Sequence, residues 1–344
     1  MKKNKPKKYK FRWYIEYGAV RALFFITFLI PIKAVNALSV FLGNLFYTLV
    51  AKRRNLAINN LRNAFAQKSE SEVKSLARKS CASFFLTFLE TIKYRDYLLS
   101  PELAKSVSQH KQKLDVAESQ HVLELFLKAK AIHDKSGGCI FVTPHIGNWE
   151  FLPYVSAVVG IPMIVVVRPL DNPYLQRLIY SNRSESGQLF IAKSNSMFAL
   201  QGALRSGKSI GMLPDQSTAK GVVVNYFDRP ATATPIPAML SVLYNRPIVV
   251  VACCRNHKHT ESESSHHSQT SAGIKGDHDA FTGFVSDPIY PGEYKSEKTE
   301  IIRLTEEMTI QMQRIVTEFP EQYLWIHNRW KTYKKENLWA KEAV

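Results

Sequence analysis

Residues 139–160 read CIFVTPHIGNWEFLPYVSAVVG, and this stretch decides the fold. CIFVT is a short apolar run of the kind that fills a strand buried on both faces. Gly147 permits a tight turn and Asn148 is a favoured N-cap residue. Residues 149–159 then continue as an apolar-faced helix closed by Gly160. The same alternation recurs downstream, where IPMIVVV, LFIA, SIGMLP, VVVNYF and PIVVVACC are separated by helical patterns. Near-continuous apolar strands alternating with helices predict an α/β fold, a mainly parallel mixed sheet flanked by helices.

Working outward, residues 55–135 carry apolar positions at three- and four-residue spacing and read as helical, with Ser69 or Ser71 placed to cap the longest helix. Residues 255–279 are polar, Ser- and His-rich and poor in large apolar side chains, so they read as a mobile loop between two strands. A final amphipathic helix is predicted at about 297–318, followed by the aromatic, basic stretch QYLWIHNRWKTYKK.

The chain begins MKKNKPKKYKFRW, seven basic residues and no acid, and runs into a long apolar stretch that ends at Lys52, Arg53 and Arg54. A signal peptide shares that order, but this stretch is too long and lacks a small-residue cleavage site, so it reads as retained. Pro31 and Lys33 split it. A helix over about 14–32 would cross or deeply enter a bilayer, and a second over about 35–50 would lie against the membrane or the domain. The leading lysines would stay cytoplasmic and attract anionic lipid. These features divide the chain into a basic leader with anchor helices, 1–50, and a domain over 51–344 with a helical part, 51–135, and an α/β part, 136–344.

The 344 residues carry a net charge of +17, which calls for an anionic partner: nucleic acid, membrane, phosphorylated substrate or acidic protein. No zinc finger or aromatic RNA-recognition motif supports nucleic acid. The four cysteines, Cys81, Cys139, Cys253 and Cys254, lack CxxC spacing and read as buried, reduced thiols. Adjacent cysteines are awkward to aim at one ion, so a zinc site from Cys253 or Cys254 with His257 and His259 is not assigned, and no metal is expected.

Two literal motif matches fail on context. GALRSGKS, residues 202–209, fits the phosphate-loop pattern, yet the predicted order is helix, Gly207, strand, the reverse of what a phosphate loop requires. GKSIG fits the nucleophile elbow of hydrolases, but Ser209 begins a strand rather than leaving one.

His145 lies at the C-terminal edge of a predicted parallel strand, where open α/β sheets place their ligands. On a continuous helix, residues five apart point about 140° away from each other. With His145 in the turn and Glu150 in the first helical turn they can approach, so that the carboxylate holds one ring nitrogen while the other acts as a base. A surface histidine beside a helix N-terminus with a dipole-friendly glutamate is the competing reading of these residues alone.

HxxxxE after an apolar strand, in a cationic chain with an N-terminal membrane segment, resembles the motif of the lysophospholipid acyltransferase superfamily. More narrowly, TPHIGNWE, GMLPDQST, VNYFDRPATATPIPAMLSVLYNRPIVVV and PEQYLWIHNRWKT look like successive blocks of the bacterial lauroyl and myristoyl transferases of lipid A biosynthesis. The resemblance runs from the anchor and RRNLAINNLRNAF to about Lys331. It implies an inner-membrane enzyme with its catalytic domain facing the cytoplasm. His145 would deprotonate a lipid hydroxyl that attacks an acyl thioester, and Glu150 would orient the histidine. No cofactor is implied beyond the cosubstrate, acyl carrier protein or coenzyme A thioester. The acceptor is an anionic glycolipid, a lipid A precursor, with another glycolipid, an aminolipid or a glycerolipid as alternatives. Arg168 and Arg183 match basic positions that follow the motif, and Arg229 is a further candidate phosphate contact. Asp215 and Gln216 are either polar groups at a helix or hydrogen-bonding partners of a sugar. Where many relatives carry an aromatic-glycine-arginine step, this chain has Phe227-Asp228-Arg229.

Overall fold

The computed structural model describes residues 11–99, 122–184, 186–192, 196–256, 281–293, 296–333 and 339. The basic leader 1–10, most of the polar stretch 255–279 and its histidines lie outside the described residues.

Four helices come first: α1 (Phe11–Leu29), α2 (Ile32–Leu49), α3 (Ala51–Ala64) and α4 (Glu70–Leu98). Pro31 separates the first two because it has no N–H to continue a helix. α4 begins with a capping box. Ser69 Oγ stands 3.4 Å from the Glu72 N–H and the Glu72 carboxylate accepts the Ser69 N–H at 2.8 Å. Among the described residues only α2 is long and apolar enough to cross a membrane, whereas sequence reading gave that place to the first helix. α1 carries Arg12, Glu16 and Arg21. α2 buries Val35, Ser39, Gly43 and Tyr47, one residue per turn, against α4. The crossing is close, since a Cβ on Gly43 would lie 2.5 Å from the Ala82 Cα. The opposite faces of both helices expose Phe25, Phe28 and Leu29 and then Phe41, Leu45 and Leu49.

After α5 (Val122–Ser136) the α/β alternation runs β1 (Ile140–Val142), α6 (Leu152–Val158), β2 (Met163–Val167), α7 (Pro173–Ser184), β3 (Leu189–Ala192), α8 (Ser196–Arg205) and β4 (Ser209–Met212). A hairpin of β5 (Val222–Tyr226) and β6 (Arg229–Ala233) follows, then α9 (Ile236–Tyr244), β7 (Ile248–Arg255), β8 (Phe281–Val285) and α10 (Glu297–Glu318). The main sheet has the order β3-β2-β4-β1-β7-β8, parallel throughout except for the antiparallel edge β8. The sheet is thus mostly parallel and flanked by helices, the fold read from the sequence. VVVNYF does not join that sheet; it pairs antiparallel with β6 in a separate hairpin.

Side chains alternate to two cores. Ile140, Val142, Val250 and Cys254 enter one, with Leu204, Leu240 and Met308; Cys139, Phe141, Val251 and Cys253 enter the other, with Phe126 and Tyr154. The adjacent Cys253 and Cys254 therefore point to opposite faces of β7, and burial pushes the Cys253 thiol up to about 12. Ser209 begins β4 fully buried, where its hydroxyl lies 2.8 Å from His133 Nδ1 and accepts the Cys139 N–H, so it joins α5, β1 and β4.

β4 occupies the slot between β1 and β2. Consecutive parallel strands often lie side by side, but β1 and β2 do not. The chain instead leaves β1, skips one position to form β2, and fills the gap later.

Candidate active site

The strands β1, β2 and β4 are parallel, so the segments leaving them emerge at one edge of the sheet, where ligands bind in folds of this class. His145 follows β1 and Asp215 follows β4, immediate neighbours in the sheet. Asp215 Oδ1 lies 2.6 Å from His145 Nδ1, and Oδ2 accepts the His145 backbone N–H at 2.8 Å. The His145 carbonyl in turn accepts the Leu324 N–H at 3.0 Å. One histidine is thereby fixed through ring, amide and carbonyl. With Nδ1 engaged, Nε2 is the ring nitrogen left for chemistry. The side chain is 18% exposed, in edge contact with Trp149.

Asp215 is buried, which by itself raises a carboxyl pKa. The charge of His145, its two hydrogen bonds and the charge of Arg329 outweigh that burial and hold Asp215 below the usual carboxylate range. Arg329 is itself buried, stacked 4.6 Å from the Tyr226 ring, and it donates to the Thr232 carbonyl at 2.6 Å.

Glu150 does not reach His145. Its carboxylate makes a two-point ion pair with Arg183 on α7, Arg183 Nε to Oε2 at 2.9 Å and Nη2 to Oε1 at 2.6 Å. The predicted approach of histidine and glutamate fails because the helix starts late. Pro153 is tolerated only in a first helical turn, so α6 begins at Leu152 and Glu150 sits in the turn before it. Asn148 is not the N-cap either. It is fully buried, and its amide donates to Glu90 Oε2 at 2.8 Å.

Arg168 follows β2 at the same edge as His145, with β4 between its strand and that of His145. It is exposed and makes no hydrogen bond or ion pair among the described residues. Gln216 is exposed, its Nε2 3.2 Å from Nε2 of His327. Arg229 is exposed at the start of β6 and makes no hydrogen bond or ion pair to the His145 group among the described residues. The step before it is a turn in which Phe227 and Asp228 both take left-handed backbone, with φ 50° and 54°, although neither is glycine. Phe227 is held there by edge contacts to Phe65, 5.2 Å away, and Tyr226, 4.8 Å away.

Sequence reasoning missed His327, whose ring centroid lies 6.1 Å from that of His145. Burial, reinforced by positive charge at His145, Arg53 and Arg168, pushes its imidazole below the ordinary histidine range. The only signal available was its place in the aromatic, basic stretch near the end of the chain.

Behind Thr143 and Trp149 the apolar core encloses a cavity of about 50 Å³ between the sheet and α5 and α6. Phe141, Met163, Val165, Gly211, Met212 and Val251 are among the residues that line it.

Residues 1–332 match the family model of bacterial lipid A biosynthesis acyltransferases. The chain belongs to this family. No curated protein matches it significantly. Membership in the lipid A acyltransferase family makes the protein an acyltransferase acting with a lipid acceptor and an acyl donor, and the family is membrane-associated in bacteria.

Proposed function

We propose that this acyltransferase moves a fatty acyl group from an acyl thioester to a free hydroxyl of a lipid A precursor, with His145 as general base. The observation that carries this reading is the 2.6 Å contact between His145 Nδ1 and Asp215 Oδ1 beside an apolar cavity. Nε2 takes the hydroxyl proton as the oxygen attacks the thioester carbonyl. The carbon–sulfur bond then breaks, and the departing thiolate recovers the proton from the imidazolium. Asp215 holds the Nδ1–H tautomer and stabilises the imidazolium while it exists. This assigns to Asp215 the orienting role that the motif pattern gave to Glu150. Glu150 instead holds Arg183 of α7 in a two-point ion pair. Arg168, free of protein partners among the described residues, supplies a guanidinium for an anionic part of the acceptor. The cavity, about 50 Å³ as it stands, admits the first few carbons of the acyl chain, which must part the surrounding side chains to go deeper.

The exposed apolar faces of α1 and α2 support a protein seated on the inner membrane with its catalytic domain on the cytoplasmic side. The net charge of +17 favours acyl carrier protein, which is acidic, over coenzyme A as donor. The test is transfer by the purified full chain from both thioesters to phosphorylated and dephosphorylated lipid A precursors, paired with mass spectrometry of lipids from cells with and without the gene. A lipid A missing one acyl chain is expected. A change confined to glycerolipids or aminolipids would overturn the acceptor, and full activity in His145→Ala would overturn the mechanism.

A further inference from the structure

Among the described residues, the arginine–carboxylate pair with both partners most deeply enclosed joins α4 to β7, away from His145. Arg255 Nε meets Glu90 Oε1 at 2.8 Å and Nη2 meets Oε2 at 2.7 Å, with the two side chains 11% and 6% exposed. Replacing such a pair by apolar residues of similar volume is often neutral or stabilising, so its presence is poorly explained by stability alone.

Arg255 Nη1 donates to Ser83 Oγ on α4 at 3.0 Å, and two further hydrogen bonds of the pair lead to the turn between His145 and Glu150. Glu90 Oε2 accepts the Asn148 amide at 2.8 Å. Arg255 Nη2 donates to Thr87 Oγ1 at 3.1 Å, and that hydroxyl shares its one proton between the Gly147 carbonyl at 2.8 Å and the Ser83 carbonyl of its own helix at 3.0 Å. β7 holds the same turn from the other side, where Cys253 O accepts the Asn148 N–H at 2.7 Å. Gly147 is seated so close, with φ 58°, that a Cβ would lie 2.1 Å from the Cys253 carbonyl oxygen. The two residues that follow Ile146 are thus gripped between α4 and β7.

We propose that Glu90 and Arg255 form a positioning pair, acting through Thr87 and Asn148 to fix the backbone that presents His145 and Glu150. The pair touches no reacting atom, and its effect is on geometry, to which catalytic rates are steep: a misplacement of about 1 Å can cost about 10²-fold. The proposal rests on the acyl-transfer reading above.

The test uses the full chain in detergent and compares wild type, Glu90→Leu, Arg255→Met, the double variant and Thr87→Val. Each single variant at the pair leaves a buried charge and is expected to lower both Tm and kcat. The double variant is expected to regain most of the Tm while kcat stays about 10- to 100-fold down, with KM within about threefold and an unchanged pH profile. Thr87→Val keeps the volume but leaves the Gly147 carbonyl and one Arg255 N–H without a partner, so it is expected to lower Tm less than either single variant at the pair while losing about tenfold or more in kcat. In both, the ring resonances of His145 are expected to move. Wild-type kcat and unmoved His145 resonances in Thr87→Val or in a refolded double variant would overturn the proposal. If wild type itself transfers no acyl chain, the functional reading fails, and the His145 resonances still decide whether the pair positions the turn.

Discussion

One carboxylate fixes both the main chain and the ring of His145: Asp215 Oδ2 accepts its N–H at 2.8 Å while Oδ1 meets Nδ1 at 2.6 Å. Asp215→Asn keeps the shape and the capacity to accept at one oxygen but loses the charge that stabilises an imidazolium. A fall in kcat of about 10²- to 10⁴-fold is expected, the range typical of general-base function, with a KM near wild type. Steady-state kinetics check it, and a loss under threefold would remove Asp215 from the mechanism.

Glu150 and Arg183 are expected to behave as a structural unit, and Arg168 is not. Arg183→Ala leaves a buried carboxylate unpaired and should destabilise by roughly 3 kcal/mol, whereas the Glu150→Ala/Arg183→Ala double variant should lose less than the sum of the singles. Arg168→Ala, at an exposed and unpaired position, should leave Tm unmoved and lower activity on the phosphorylated acceptor. Thermal melts and kinetics on the same preparations separate the two behaviours. Equal Tm losses for Arg168→Ala and Arg183→Ala would contradict the assignment.

The cavity lined by Gly211 should set the length of the acyl chain. A Cβ at Gly211 would stand 2.8 Å from Met163 Sδ and 3.4 Å from Val165 Cγ2, so Gly211→Val must push the Met163 side chain aside and crowd the cavity that both residues line. Each excluded methylene costs about 0.8 kcal/mol, so losing two should slow the longest good donor by about tenfold relative to a donor two carbons shorter. Competition between donors of different length, read by product mass, checks this. An unchanged product distribution would place the chain elsewhere.

His133 gives the stability a pH dependence. Burial lowers its pKa in the folded state, where Nδ1 faces Ser209 at 2.8 Å. The unfolded imidazole takes up its proton near pH 6.5, at a higher pH than the folded one, so the unfolded state binds more protons there and stability falls as pH drops below about 6.5. His133→Gln should flatten Tm against pH just below that value. A slope identical to wild type would mean that another group is responsible.

Phe41 and Leu45 project from α2 on the side away from α4, 62% and 44% exposed. Aspartate at both positions should shift the chain from the membrane pellet to the supernatant, because two charges would replace apolar side chains on the face that enters the lipid boundary. Unchanged pelleting would show that other surfaces hold the protein to lipid.

The five parallel strands of the main sheet were legible because each is a largely apolar run with no competing helical period, whereas β8, FTGFV, was foreseen only as the strand beyond the polar loop; the phosphate-loop and elbow matches fell away on strand order alone. Sheet order was not legible. Nothing within β1 or β2 records that β4 inserts between them, and that insertion gives His145 to Asp215, 70 positions away, rather than to Glu150. Pro153 could have moved the helix start past Glu150, since a proline beyond the first turn would clash with the preceding carbonyl. β6 went unseen because RPATA offers a proline and only one β-branched residue. His327 and Arg329 were unreadable for a different reason: their role comes from chain folded back from beyond α10.

That return of the chain bears on the order of folding. The Asn60 amide donates to the Trp325 carbonyl across 265 positions, Arg53 donates to the Ile326 carbonyl across 273, and Ser80 joins the Tyr323 carbonyl across 243. Contacts of such separation carry the largest loop-closure entropy and form late. The strands and helices of residues 139–255 can assemble from nearer neighbours while the His145 carbonyl still waits for Leu324. Catalytic competence is therefore expected to be the slowest-appearing property in refolding, trailing the recovery of helical signal, and a fragment that stops short of Leu324 is expected to fold its sheet and remain inert.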